Sequence, residues 1–203
     1  MPFFKYLDEN SDITDITFND RRRLGPLDKA SQEIMRGKSP LSFAEREIMA
    51  AYVSGLNACS FCHGSHQAVA QQFGIEPTVI EQLLEDIDQA PIREPLKPLF
   101  RYLKKLTLSP SKLVQKDADA VLQAGWTEEA LHDTILIGCL FNFYNRLLDG
   151  HGVKGHASIY QFAGQHLYKN GYGVPWFIGL IKNMLKRKKL KKLNEVRVAP
   201  NLP

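Results

Sequence analysis

Cys59-Ser60-Phe61-Cys62 sets two sulfurs one helical turn apart, near enough to join as a disulfide and part again. A ring that short constrains little of an unfolded chain, so a structural staple is a poor use for the pair. At a helix start the amide dipoles favour an anion and lower a thiol pKa from about 8.5, which enriches the nucleophilic thiolate. His66 follows Cys62 by four residues and shares its helical face. An imidazole there can take a thiol proton or hand one to a leaving oxygen.

Glu47 enters through the fold expected around it. With a corner near Asn57, Glu47 lies ten residues before the turn and His66 nine after it. In an antiparallel helical hairpin both then sit about 14 to 15 Å from the corner, at ~1.5 Å of rise per residue. A carboxylate opposite the imidazole orients the ring and stabilises its protonated form, which makes an acid/base system beside a redox pair. Cys59, Cys62, His63 and His66 also share one side of a helical wheel, a ligand set that zinc uses. One rigid helix cannot wrap four ligands tetrahedrally around an ion, and no second Cys/His cluster occurs in the chain. The expectation is therefore thiol chemistry without a metal or other cofactor. The alternative is a zinc-stabilised helical interaction protein with a basic partner-binding tail.

The elements that must position these residues are legible as helices. Ser42-x-x-Glu45 is a capping box, and Ile48, Tyr52 and Leu56 follow at four-residue spacing, so a helix is expected over 42–58. A second is expected over 59–73, ended by Gly74, and Pro77 opens a third to about Ile87. Pro91, Pro95 and Pro98 mark 88–98 as a linker, after which a helix resumes over 100–106. Ser109-Pro110 reads as the start of a helix through Leu122 closed by Gly125, and Thr127 caps another over 128–148, with Gly150 and Gly152 at its end. No stretch alternates with period two, so the fold class is all-α. Ser65–Ile75 and Phe143–Val153 echo one another, as a duplicated helical hairpin would.

Composition narrows the function classes. The 203 residues are 44% hydrophobic, enough for a buried core and too apolar for a disordered chain. The longest uncharged apolar run, 135–141, falls far short of the roughly 20 residues a membrane span needs. The N-terminus meets the acidic Asp8 and Glu9 before a long apolar stretch can form, unlike a secretory signal, so a cytoplasmic location is expected. Seven of the 26 basic side chains lie within 182–192, which holds no acidic group; the other 19 face 22 Asp and Glu. A mildly acidic body argues against nucleic acid as a partner. The apolar run Trp176–Ile181 followed by these lysines reads as an amphipathic helix, its apolar side expected on a neighbouring subunit and its lysines in water.

The pattern Glu47, eleven intervening residues, Cys59-x-x-Cys62, three intervening residues, His66 resembles the active-site signature of alkylhydroperoxidase D (AhpD) and its carboxymuconolactone-decarboxylase-like relatives. The string from Ser39 to His66, with Leu140-Phe-Asn-Phe-Tyr-Asn-Arg-Leu-Leu-Asp-Gly150, is more similar still to the peroxidase-related enzymes of that family. The likeness covers residues 36–155 and implies an AhpD-like helical bundle in a homo-oligomer. It also implies a thiol peroxidase without metal or flavin. By that likeness one cysteine attacks an organic hydroperoxide and becomes a sulfenic acid, and the other resolves it into a disulfide. Glu47, His66 and a water relay the proton, and a dithiol electron donor reopens the disulfide; a protein disulfide is the other substrate expected. The histidine one turn away assigns the attack to Cys62 and leaves Cys59 as resolver. Phe61 departs from the pattern, since the better-known members often carry a polar residue before the second cysteine. Lactone decarboxylases of this fold lack the cysteine pair, which argues against decarboxylation.

The chain is thus expected to divide into an AhpD-like helical domain over 1–175, with a redox hairpin at 42–74 and a second half at 99–153, and a basic tail over 176–203. Cys139, inside the apolar run, is expected in the core. Asn142, Asn145, Arg146 and Asp149 punctuate the apolar helix near its end, and Arg146 is expected to pair with Asp149 at three-residue spacing. His132, His151, His156 and His166 have no partner pattern and are expected to play no part in the site.

Overall fold

The computed structural model describes residues 1–173 together with Ile181 and Met184. The expected basic tail over 176–203 lies outside the described residues apart from those two. The chain begins with α1 (Ile13–Asn19), α2 (Arg21–Leu24) and α3 (Pro26–Arg36). Next come α4 (Phe43–Leu56), α5 (Ser60–Gln72), α6 (Pro77–Glu85) and α7 (Leu96–Leu108). A 3-10 turn at Pro110–Lys112 leads to α8 (Gln115–Gln123), α9 (Glu128–His151) and α10 (Ala157–Asn170). No strand occurs among the described residues, and none of their helices is long and apolar enough to cross a membrane.

Side-chain chemistry sets the helix ends. Ser42 and Glu45 form the reciprocal capping box of α4, and the Thr127 hydroxyl accepts from the Ala130 amide at 3.2 Å to start α9. Gly74 and Gly152, which close the two helix ends that echo each other in sequence, take φ of 84° and 71°. α9 runs past the expected Leu148 and through Gly150 to His151, and two further boundaries differ from expectation. α7 starts at Leu96 and includes Pro98, because a proline in the first turn forfeits only an amide that has no partner within the helix. Ser109-Pro110 starts a 3-10 turn rather than a helix, and α8 begins at Gln115.

α4 is buried from Glu45 through Ser54, enclosed by α3, α5, α6, α7 and α9. A helix enclosed on all sides must be apolar all round or bring partners for its charges. Ile48 through Val53 meet the first condition, with Tyr52 edge-on to Phe100 at 5.1 Å. The second falls to three successive charged residues. Glu45 pairs with Arg93, and Arg46 donates to the carbonyls of Leu41 and Ile34 at 3.0 and 3.1 Å. Glu47 is satisfied by the groups described below.

α4 and α5 form the hairpin, turning at Asn57-Ala58, where Ala58 takes a left-handed φ of 54°. α10 lies along α5 in the same direction. A Cβ on Gly155 would stand 2.7 Å from Phe61 Cα, one on Gly64 would stand 2.4 Å from the Tyr160 ring, and one on Gly164 would stand 2.9 Å from the Ala68 carbonyl oxygen. Small residues thus allow two backbones to approach closely in register. Around the cysteines, Leu7, Ile16, Phe61, Leu148 and Val153 form a second apolar cluster.

Candidate active site

Glu47 is fully buried, and its carboxylate is held from both oxygens. Oε2 lies 2.7 Å from His66 Nδ1. Oε1 lies 2.6 Å from Arg36 Nη2 and accepts from the Tyr172 hydroxyl at 2.8 Å. Burial alone would raise the carboxyl pKa, but the bond and charge of His66, with the Arg36 guanidinium, outweigh it and hold the group below its ordinary 4.5. Arg36 supplies a further counter-charge to the carboxylate. The Nδ1 proton donated to Glu47 fixes the tautomer and leaves Nε2 as the basic nitrogen of the ring. Phe141, edge-on at 4.4 Å, and Tyr172, parallel at 6.1 Å, hold the ring plane. The Tyr172 phenol is pushed well above its ordinary 10.0, by burial first and by the Glu47 charge beside it.

The hairpin joins Glu47 to His66 and sets Cys59 beside Cys62, and of these four residues Cys62 and His66 line one cavity. Cys59 is the N-cap of α5 and is fully buried; Cys62 is 4% exposed. The Cys62 thiol donates to the Cys59 sulfur and holds Cys59 below its ordinary 9.0 against burial, while Asp149 acts the other way. Cys62 is pushed well above 9.0, by keeping that proton, by burial and by the Cys59 charge, with Asn145 easing it slightly. The order of acidity is therefore the reverse of what the position of His66 alone suggests. Access runs the other way. Cys62, Ser65 and His66 line a cavity of about 440 Å³ whose surface is mostly apolar, from Phe61, Phe141, Leu148 and Ile159 among others, with Asn10, Asp12, Asp28 and Ser31 also on its wall.

Among the described residues, no three His, Cys, Asp or Glu side chains converge as a metal site. His63, the fourth ligand of the zinc alternative, has its Nδ1 3.0 Å from the Ala51 carbonyl. Cys139 is exposed rather than core, because it falls on the outer face of α9. Arg146 and Asp149 do not pair: Arg146 donates to Asn142, and Asp149 pairs with Lys154 at 2.7 Å. Asn145 is buried, donates to Ser54 Oγ at 3.0 Å and accepts from Asn57 at 2.8 Å, which ties α9 to the hairpin corner.

Sequence reasoning missed Arg36, Tyr172 and His156. A buried glutamate on an otherwise apolar stripe does signal that a cation must reach it. Nothing in the spacing says which one, since Arg36 comes from α3 and Tyr172 lies 125 residues from Glu47. His156, expected to stand apart, lines the cavity, as does His166.

No protein-family model and no curated protein matches the chain. Solved structures do. The alkylhydroperoxidase AhpD core, an uncharacterized peroxidase-related protein from Ralstonia eutropha JMP134, superposes with a TM-score of 0.65 at 20% identity, over 74% of this chain and 80% of that one. An uncharacterized peroxidase-related protein from Silicibacter sp. TM1040 superposes with a TM-score of 0.60 at 23% identity, over 76% of this chain and 91% of that one. The chain therefore has the all-helical fold of the AhpD core, the fold its motif implies.

Proposed function

We propose that this protein is a thiol peroxidase of the AhpD-like family that reduces organic hydroperoxides with the Cys59/Cys62 pair. The observation that carries this reading is the buried Glu47–His66 pair, braced by Arg36, on the same hairpin as a thiol pair of which Cys62 lines a partly open cavity with a mostly apolar surface. At about 440 Å³ the cavity is in the range that holds an organic ligand, and hydrogen peroxide alone would leave most of it unfilled.

Ionisation of the pair passes one proton to the His66–Glu47 relay, and the remaining proton is shared between the sulfurs. When that proton moves to Cys59, Cys62 is the thiolate at the cavity wall. Its sulfur attacks the terminal peroxide oxygen; an S–O bond forms and the O–O bond breaks. Sulfur is oxidised to the sulfenic acid, and the departing alkoxide takes the Cys59 proton to leave as the alcohol. The Cys59 thiolate then attacks the Cys62 sulfur, an S–S bond forms, and the released hydroxide recovers the proton of the relay as water. An external dithiol restores the pair. A protein disulfide could enter the same cycle in place of the peroxide.

The test is turnover of cumene hydroperoxide with a small dithiol, coupled to mass spectrometry of the protein. Consumption with loss of two hydrogens in the Cys59–Cys62 peptide is expected. Stoichiometric zinc with thiols inert to peroxide would overturn the reading in favour of a zinc-stabilised interaction protein.

A further inference from the structure

Arg36 already balances the charge of Glu47, at 2.6 Å from Oε1, and His66 already bonds Oε2 at 2.7 Å. The Tyr172 hydroxyl adds a neutral donor to Oε1 at 2.8 Å. The same phenol oxygen lies 3.2 Å from His66 Nδ1, so one hydroxyl touches both members of the pair. The phenol is pushed well above its ordinary 10.0, by burial first, and so keeps the proton that it donates. The other titratable groups that act here are Cys62, on the phenol, and Arg46 of α4 itself, on which Asp133 of α9 acts in turn.

Tyr172 belongs to none of the helices. It follows α10 through Gly171, whose φ of 67° favours glycine and where a Cβ would stand 2.6 Å from Gln32 Oε1. That oxygen accepts the Tyr172 amide at 2.7 Å, which latches the turn to α3. Arg36, one helical turn on from Gln32, donates to the Leu167 carbonyl at 3.1 Å and lies over the Tyr172 ring at 5.0 Å. The His66 ring runs parallel to the phenol ring at 6.1 Å. Contacts from α3 and α5 thus fix the phenol and aim its hydroxyl at a carboxylate on α4. A hydrogen bond to the charged form of an acid favours that form. With Tyr172 in place the carboxylate is a weaker base than with Arg36 and His66 alone, and a proton passed into the relay is held less tightly.

We propose that Tyr172 is a positioning residue of the relay: its hydroxyl, latched by Gln32 and Gly171, holds the Glu47 carboxylate toward His66 and limits how tightly the pair keeps the proton it takes from the thiols. The inference rests on the reading of Glu47 and His66 as the proton relay of a peroxidase. It adds a third side chain to that relay, and in Gln32 a residue that acts only through it.

The test compares the wild type with Tyr172→Phe, which keeps the ring and removes only the hydroxyl, and with Gln32→Leu, which removes the acceptor of the Tyr172 amide. The Glu47 carboxyl is followed by carbon-13 NMR of the full chain, assigned by through-bond correlation to its backbone. Tyr172→Phe should move its midpoint up by about half to one pH unit, the loss of one neutral hydrogen bond to the carboxylate. Gln32→Leu should move it the same way by less, and should add nothing in the Tyr172→Phe background. With cumene hydroperoxide, the acid limb of kcat/KM should move up in the same direction. Tyr172→Phe then lags the wild type about three- to tenfold below the midpoint, and the gap closes at higher pH. A merely structural role would lower the rate equally at every pH. An unmoved carboxyl midpoint, or a rate loss equal at every pH, would overturn the proposal, and a Gln32→Leu effect that keeps its full size in Tyr172→Phe would overturn the latch. If the midpoint moves as expected while the wild type consumes no peroxide, the role of Tyr172 toward Glu47 stands and the peroxidase reading falls.

Discussion

At the scale of single residues, the site is organised by the need to keep a charge inside the protein. Glu47 is buried with Arg36, His66 and Tyr172, and removing its charge leaves the Arg36 cation buried without a counter-ion. Glu47→Gln should therefore cost about 3–5 kcal/mol in urea unfolding, and at matched folding it should slow peroxide turnover by roughly 10²–10⁴. An unchanged rate would remove Glu47 from the relay. The pH dependence has a definite sign. The folded carboxyl titrates below 4.5, so its contribution to stability is complete above 4.5 and is lost as pH falls through the lower folded value. Glu47→Gln should flatten that acid limb in melts recorded across it. The thiols titrate as a pair. With Cys139 replaced by serine so that only the pair is read, thiolate ultraviolet absorbance should report one equivalent ionising below 9.0 and the second only well above it. Cys62→Ala removes the side-chain hydrogen bond that is the largest cause of the lowered Cys59 pKa, and leaves the residue-62 amide, which lowers it, against burial and Asp149, which raise it. The remaining thiol should titrate higher than in the native pair.

At the scale of elements, the α4–α5 hairpin determines the chemistry, and its corner is the strained point. Ala58 holds φ at 54°, a region that costs a non-glycine residue about 1–2 kcal/mol. Glycine there relieves the strain but adds freedom to the unfolded chain, so Ala58→Gly should lie between neutral and about 1 kcal/mol stabilising. Ala58→Val, β-branched at a left-handed position, should destabilise clearly and tilt α5, which would show as altered Cys59/Cys62 alkylation rates beside a lower Tm. A lower stability for the glycine variant than for the valine variant would contradict this account of the corner. How far the hairpin was readable follows from the same residues. Ser42, Glu45, Gly74 and Pro77 act on amides a few positions away, so the helix ends they set were legible in sequence. Pro98 and Pro110 were misjudged because a proline tolerated in a first turn and a proline that breaks a helix are the same residue in different surroundings.

At the scale of the whole molecule, the site is assembled from widely separated parts of the chain. α3 contributes Arg36, the hairpin contributes Glu47, the thiols and His66, α9 contributes Asn145, and the segment after α10 contributes Tyr172. Phe143 and Phe162, at 42% and 65% exposure, leave apolar surface on α9 and α10. We expect this surface to be covered in a homo-oligomer, so sedimentation should give a particle heavier than one 23.0 kDa chain. A monomer at the concentrations where peroxide turns over would show that one chain suffices for the chemistry.

What the amino-acid order determined by itself is what short-range physics controls. Caps, glycine stops and four-residue apolar spacing make helices, and nearly equal counts on either side of Asn57 bring Glu47 level with His66. What only the tertiary structure decided is how those helices face one another. The choice of Arg36 and Tyr172 as partners of Glu47, the exposure of Cys139, and the place of His156 on the cavity that Cys62 lines all depend on it. The acidity order of the two thiols belongs with these, because it depends on burial and on which sulfur keeps the shared proton. Such interactions join residues up to 125 positions apart, beyond the reach of any spacing rule, and they exist only once the apolar faces have chosen how to close.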